Sequence, residues 1–510
     1  MKSSMFWIGA LTVLVAGASP VAAQEEPGPQ VFGEVIDVRV VNVETVVTDE
    51  KGNVARGLKP EDFRLLVDGK EVPVEYFSEI VEGEAAATGD GEAVSAQVGK
   101  GEEVGRRYLV LIDDSFSVPS TRDELLTRIA RDLGAMKPGD EMAVLAFDGA
   151  EIDVLCPWSS DRALVTAALS GAKKRPAHGH QFLAQHRSMG EDMDTALEAA
   201  IALELDQGEI AALMATLNSR VSPETRGRLG KTAQAATGAL RGFEAPPGRK
   251  VLLFLTAGWA MSVAPHLYGP MIDDANRLGY TVYPVDAASS DTRGMKVLDV
   301  LATRTGGKVA STAKMVVLRQ VAADTSSYYW LGFTPAWKAD ESRHKVEIEV
   351  RRAGFKTRSR AGFSDLSRQA EAKMKAESAL LFGAPEEEKR LIVQLGEPKK
   401  AGRRQIEVPV TVGVPVSSLA LTPEGDGYIA EAPLAVAALD SKGGRSELPT
   451  SKLRVRVKVL PQGGGYARFQ TVVKLRDTEQ RLVFTVHDPV NGTVLWGEAT
   501  VHPRVAAKVR

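Results

Sequence analysis

Between Arg106 and Asp365 short apolar runs alternate with stretches of helical spacing, and this alternation constrains the chain more than any other feature. Tyr108–Ile112 is an unbroken apolar run, as a strand buried on both faces requires, and Arg122–Met136 places Leu125, Leu126, Ile129 and Leu133 at helical intervals. Further runs follow at Met142–Phe147, Lys250–Leu255, Tyr280–Val285 and Lys308–Ala310, with helices expected over His266–Leu278, Met295–Thr303 and Met315–Ala323. The pattern predicts an α/β domain over residues 106–365, with a central, doubly wound, mostly parallel sheet covered by helices. Gly190–Phe243 is rich in Ala, Leu, Glu and Arg and lacks strand signals, so a helical insertion over about residues 175–245 is expected inside this domain. The strands expected at Ser326–Thr334 and His344–Arg352 would extend the sheet at an edge.

A chain of 510 residues has room for about three domains. Alternation at Val41, Val43, Thr45 and Val47, with turns at Asp49–Gly52 and Asp68-Gly69, predicts an N-terminal β domain over 31–82. The Gly-, Ala- and Glu-rich stretch that follows reads as a flexible linker over 83–105. A charged, Ala-rich helical linker is expected over 366–389, then a β-sandwich-like domain over 390–510, where β signals are separated by Gly, Pro and Asp turns.

Lys2, the apolar run Met5–Ala18 and the small residues Val21-Ala22-Ala23 before Gln24 form the pattern of an export signal over 1–23. That run is shorter than the roughly 20 residues a membrane span needs, so the expectation is a periplasmic or secreted protein with no transmembrane segment after cleavage. Cys156 is the only cysteine, which excludes an intramolecular disulfide and reads as a small apolar residue at a strand end. The net charge of -3, from 63 basic and 66 acidic residues, supplies no field to gather nucleic acid.

The chemistry is concentrated where the Tyr108–Ile112 run ends in Asp113-Asp114-Ser115-Phe116-Ser117. The carboxyl ends of parallel strands are where α/β sheets place ligands, and Asp113, Ser115 and Ser117 offer the oxygen donors that a hard divalent cation such as Mg²⁺ prefers. Without a cation, the same serines could cap the following helix or satisfy the turn. A strand followed by Asp-x-Ser-x-Ser resembles the metal-ion-dependent adhesion site of von Willebrand factor type A domains. The order of the following elements, the segment Leu278–Asp286, the preceding β segment and Tyr328–Phe333 make the layout similar to the acidobacterial-type proteins related to that family.

The resemblance implies a non-enzymatic binding protein for cell adhesion or protein–protein interaction, in which a Mg²⁺ or similar cation accepts an acidic side chain from a protein ligand. It also implies a threonine from a second loop and an aspartate after the central strand. Here Thr256-Ala257-Gly258 puts a methyl where that aspartate belongs, and alignment on Ala196-Leu197 puts Glu191 at the threonine position. Glu191 or Asp192 could replace the missing charge, giving a modified site of Asp113, Ser115, Ser117 and the second loop. A metal-independent structural or assembly component of the cell envelope and a metal-dependent hydrolase are the alternatives. No nucleophile elbow, phosphate-binding loop or His-Glu-x-x-His motif occurs to favour the hydrolase. His178, His180 and His186 lack a specific zinc spacing and read as part of a solvated loop.

Overall fold

The computed structural model describes residues 40–88, 94–96, 98–182, 222–243, 245–258, 265–288, 295–310, 316–382, 391–440, 445–447, 451–460 and 465–502. The export signal expected at 1–23, most of the insertion, Glu191, Asp192 and His186 lie outside the described residues. The chain divides into two compact units, one spanning Val38–Leu366 and the other formed in its described part by residues from Ser367 onward.

The strands of the first unit are β1 (Val41–Asp49), β2 (Phe63–Val67), β3 (Lys70–Val72), β4 (Tyr76–Val81), β5 (Glu84–Thr88), β6 (Ser95–Ala96), β7 (Arg106–Asp113), β8 (Glu141–Phe147), β9 (Ile152–Ser159), β10 (Arg249–Thr256), β11 (Tyr280–Asp286), β12 (Tyr328–Phe333), β13 (Arg343–Val350), β14 (Phe355–Arg358) and β15 (Gly362–Ser364). Five of them form a sheet in the order β11-β10-β7-β8-β9, with β7 in the middle. The pairings of β7 with β10, β10 with β11 and β7 with β8 are parallel, and that of β8 with β9 is antiparallel. Tyr108–Ile112 and Val251–Leu255 are buried throughout, because both faces of these strands are covered. The helix Pro119–Arg131 turns Leu125, Leu126 and Ile129 into that core, as their spacing requires.

The expected architecture, a doubly wound and mostly parallel α/β sheet, does not describe this chain. Strands account for 44% and helices for 26%, and most sheets are antiparallel. The reason lies in where the remaining strands find partners. β12 pairs antiparallel with β1 and β4, and β13 pairs antiparallel with β2 and β15, so neither extends the five-stranded sheet. Lys308–Ala310 forms no strand, and the Ala310 amide donates to the Pro284 carbonyl at 3.1 Å.

The strands up to Val81 likewise do not close a domain by themselves. One sheet runs β14-β1-β12-β4-β5 and another β15-β13-β2-β3, each drawing on strands from both ends of the unit. Val43, Val47, Leu65 and Phe77 share a core with Tyr329, Leu331, Phe333, Val346 and Ile348. The β2–β3 turn has Asp68 and Gly69 at φ 51° and 77°, the two left-handed positions of a tight hairpin. The stretch expected as a linker carries β5 and β6, both paired with β4. Tyr329 ties these segments together: its hydroxyl accepts the Leu58 amide (3.1 Å) and lies 3.1 Å from the Ala55 carbonyl and 3.0 Å from the Glu79 carboxylate.

In the second unit, Gln405–Pro415 alternates buried Ile406, Val408, Val410 and Val412 with less buried neighbours, and pairs antiparallel with Tyr466–Arg476 over its whole length. A second antiparallel sheet is built around Gly427–Asp440 and Gln480–His487. The inward side chains of both sheets, among them Val410, Val412, Leu434 and Phe484, form one core. The helix Arg368–Phe382, expected as a linker, packs Ala376, Ala379 and Leu380 onto Ala437, Leu439, Val483 and Trp496. No helix among the described residues is long and apolar enough to cross a membrane.

Replacing Tyr329 with Phe removes one hydroxyl, leaves the buried Leu58 amide without that acceptor and takes one hydrogen bond from the Glu79 carboxylate, which keeps the Gly57 amide at 2.6 Å. Urea unfolding of this variant should show a loss of about 1–3 kcal/mol, and an unchanged midpoint would mean that the hydroxyl does not link the two ends of the unit.

Candidate functional site

The central strand β7 carries Asp113 to the carboxyl edge of its sheet, opposite Phe147 of β8. The turn that follows is held by backbone bonds: the Asp114 amide donates to the Phe147 carbonyl (2.8 Å), the Ser117 amide to the Asp113 carbonyl (3.1 Å) and the Val118 amide to the Ala287 carbonyl (2.9 Å). Pro119 then opens the helix Pro119–Arg131, where its missing N–H costs nothing. The helix has Val118 at its N-cap and no side-chain capping bond, so neither serine serves as the cap.

The two adjacent aspartates meet opposite environments. Asp114 is fully buried and neutralised: Arg122 donates to one carboxylate oxygen at 2.7 Å and Arg175 to the other at 2.8 Å. Asp113 is equally buried, but among the described residues no basic side chain pairs with it. It accepts the Thr256 hydroxyl at 2.7 Å, the Ser115 amide at 3.1 Å and, more loosely, the Thr232 hydroxyl at 3.4 Å. Burial pushes the Asp113 carboxyl up to about 7, against the downward pull of the Thr256 and Ser115 hydrogen bonds.

Near this carboxylate lie buried polar atoms that have no partner among the described residues. The Ser115 and Ser117 hydroxyls are buried and have no hydrogen-bond partner among the described residues, and the same holds for the Tyr268 hydroxyl. Burial, and then the charge of Asp113, raise the Tyr268 phenol well above its ordinary range. A buried carboxylate with no counter-charge among the described residues, beside two hydroxyls likewise without partners there, matches the donor set of a hard divalent cation. The expected ligands Asp113, Ser115 and Ser117 are thus brought to one loop.

Ala257, at the position where the resemblance implies a carboxylate, is buried in an apolar cluster with Phe116, Val118, Phe182, Leu229 and Ala288. Three side chains near Asp113 escaped the sequence reading: Thr256, Thr232 and Tyr268. Thr256 was legible in principle, because it ends the strand beside β7 in the Leu255–Ile112 register. Thr232 lies within the helix Pro223–Gly242, whose Ala-rich pattern does not say which face turns inward. Of the histidine cluster, the described His178 and His180 are exposed, and the His178 amide donates to the Asp114 carbonyl at 2.9 Å. Cys156 is buried inside β9, where burial raises its thiol pKa.

One further group among the described residues could hold a metal: Asp340, His344 and Asp365 place their ligand atoms within 4.8 Å of one another. These atoms already have partners. His344 Nδ1 lies 2.7 Å from Asp68 and Nε2 lies 2.9 Å from Ser342, and the Asp365 carboxylate accepts the Lys338 and Ala339 amides.

No known family matches the sequence, and no curated protein does. Among solved structures, a Northeast Structural Genomics Consortium target is 8% identical, with a TM-score of 0.14, covering 24% of this chain and 91% of that one. A beta-glucuronidase of Bacteroides uniformis is 12% identical at a TM-score of 0.16, over 35% of this chain and 19% of the enzyme. Beta-glucuronidase 2 of the same organism, covalently bound to an aziridine, is 11% identical at 0.15 over the same shares, 35% and 19%. These overlaps indicate no family.

The raised pKa of Asp113 sets a pH dependence for the metal-free protein. Its folded value of about 7 exceeds the ordinary value of 3.8 that it regains on unfolding, so the native state holds the extra proton between these limits. Stability from this group therefore falls as pH rises from about 4 to about 7 and stays low above that. Asp113→Asn, neutral throughout, should gain stability over the parent across this window when both are unfolded in EDTA. An identical pH profile for the two proteins would show that the Asp113 carboxyl is not held in its neutral form.

Proposed function

We propose that this chain is an exported, non-enzymatic binding protein that seats a divalent cation at the Asp113 loop and captures an acidic side chain of a protein ligand through it. The observation that carries this reading is the pairing of a buried carboxylate lacking a basic partner with two buried hydroxyls lacking any partner, among the described residues. Each would be costly to bury alone, and a single cation would satisfy all three. The resemblance of Asp113-x-Ser115-x-Ser117 to a metal-ion-dependent adhesion site supports the same reading.

Asp113 would supply the charge, and Ser115 and Ser117 neutral oxygens. Thr256 and Thr232 stand on the two carboxylate oxygens of Asp113 and orient them. A Mg²⁺ ion would offer an open coordination position to a ligand carboxylate. Glu191 or Asp192 would add the negative charge absent at Ala257. Arg122 and Arg175 hold Asp114 out of the site, so that only one of the two adjacent carboxylates faces the cation. The Lys2 to Ala23 signal pattern is the ground for export.

Calorimetric titration with Mn²⁺ or Mg²⁺ should give one site in the parent, no binding to Asp113→Ala and at least about tenfold weaker binding to a Ser115→Ala, Ser117→Ala double variant. Saturating cation should also raise the unfolding temperature of the parent and leave that of Asp113→Ala unchanged. Equal binding by the parent and Asp113→Ala would remove the site. A partner captured equally in Mg²⁺ and in EDTA would assign recognition to another surface.

A further inference from the structure

The group around His344 shares no residue with the Asp113 loop, and its geometry goes further than a cluster of acids. Asp340 lies just before β13 and Asp365 just after β15, and the pairing of Arg343 with Ser364 brings these two ends together. The imidazole is fixed from two sides. Its Nδ1 stands 2.7 Å from one oxygen of Asp68, whose other oxygen accepts the Lys345 amide at 2.9 Å. The hydrogen bonds from His344 and Lys345 hold the Asp68 carboxyl below its ordinary range, so Asp68 accepts and Nδ1 carries the proton. Phe363 stacks on the imidazole, with centroids 5.0 Å apart and planes 25° from parallel. In the neutral ring Nε2 then offers its lone pair. Its neighbour at 2.9 Å is the Ser342 hydroxyl, a neutral group that can turn away without breaking a charge pair.

The two carboxylates add negative charge on the Nε2 side. Asp365 is buried, and among the described residues no basic side chain pairs with it; its oxygens accept the Lys338 and Ala339 amides at 2.6 and 3.1 Å, which orients them. Asp340 is exposed and stands between Ala339 at φ 55° and Glu341 at φ 61°, left-handed conformations that are unfavourable for a residue with a Cβ. A histidine that gives one ring N–H to a carboxylate and turns its other nitrogen toward further ligands is the arrangement by which proteins orient metal-binding imidazoles.

We propose that Asp340, Nε2 of His344 and Asp365 bind a divalent transition ion of the Zn²⁺ class, with Asp68 as the positioning residue for His344. The nitrogen donor sets the metal, because imidazole suits Zn²⁺ whereas Mg²⁺ and Ca²⁺ take oxygen. Ligand atoms at their usual distance from a tetrahedral Zn²⁺ stand about 3.4 Å from one another. One ligand atom from each of the three residues already lies within 4.8 Å of the others. The remaining closure, about 1.4 Å at most, is within reach of the exposed Asp340 side chain. Three protein ligands leave the fourth position of the ion to water.

The test is a calorimetric titration of Zn²⁺ into the full chain in excess Mg²⁺, which fills any all-oxygen site. One Zn²⁺ should bind with a Kd of about 10 μM or tighter, and at least about tenfold more weakly in Asp340→Asn and in His344→Gln. Asp68→Asn should weaken binding about 10- to 100-fold, the loss usual when a partner outside the ligand set is removed. Zn²⁺ should also raise the unfolding temperature of the parent and leave that of Asp340→Asn, altered only at an exposed side chain, unchanged. Equal affinity in the parent, Asp340→Asn and His344→Gln overturns the proposal and assigns the ion to an adventitious set such as the exposed His178 and His180. Binding in the millimolar range in the parent overturns it as well. Full affinity in Asp68→Asn, with loss in the other two variants, overturns the positioning role of Asp68 alone.

Discussion

The buried contact of Asp114 with Arg122 and Arg175 is the interaction on which the rest of the site depends. Arg122 comes from the helix after the loop and Arg175 from the segment after the helix Arg162–Ala172, so one carboxylate fixes three pieces of chain at the edge of the sheet. Arg122 also donates to the Lys173 and Arg175 carbonyls, which leaves little of its guanidinium unsatisfied in a buried position. Removing one member of such a network leaves an uncompensated interior charge, typically at a cost of several kcal/mol. Asp114 is thereby engaged on both carboxylate oxygens, while Asp113 has no basic partner among the described residues.

The contrast between neighbours is therefore functional information that neither residue holds alone. Two carboxylates in sequence, equally buried, differ in that one faces guanidinium groups and the other faces hydroxyls. A side chain buried for structure is normally paired, as Asp114 is. Asp113 has no basic partner among the described residues, and this departure from the usual pairing is what the proposed cation seat rests on.

How much of this was legible can be argued from particular residues. The apolar runs at Tyr108, Met142, Lys250 and Tyr280 all became strands, because a doubly covered strand must be apolar on both faces. What the alternation could not show was the identity of each strand's neighbour. Periodicity is local, whereas the pairing of β12 with β1 is decided by which exposed edge remains, and so the alternation misleads about the overall architecture by suggesting one parallel sheet. At the site, Asp113, Ser115 and Ser117 were legible because they sit close together in the chain. Thr232 and Tyr268 were not, since only the folded helix packing brings them near.

The pairing of strands from both ends of the first unit bears on the order of folding. β1 pairs with β12 and β14, and β2 with β13, so Val41 waits for Phe333 and Phe63 for Val350. A chain emerging from its amino end exposes β1 without a partner strand, and one open edge on each of β2 and β4, for as long as the intervening segment takes to appear. Closing so long a loop carries an entropic cost before any contact repays it, and open edges invite association with other chains. The strands of the sheet around β7 all lie between Arg106 and Asp286, and Val317, Leu318 and Val321 complete its core just before β12 begins, so this sheet can pair first and act as the template on which the outer strands later meet. In that sequence of events the strand that carries Asp113 is paired before the outer strands of the unit have met.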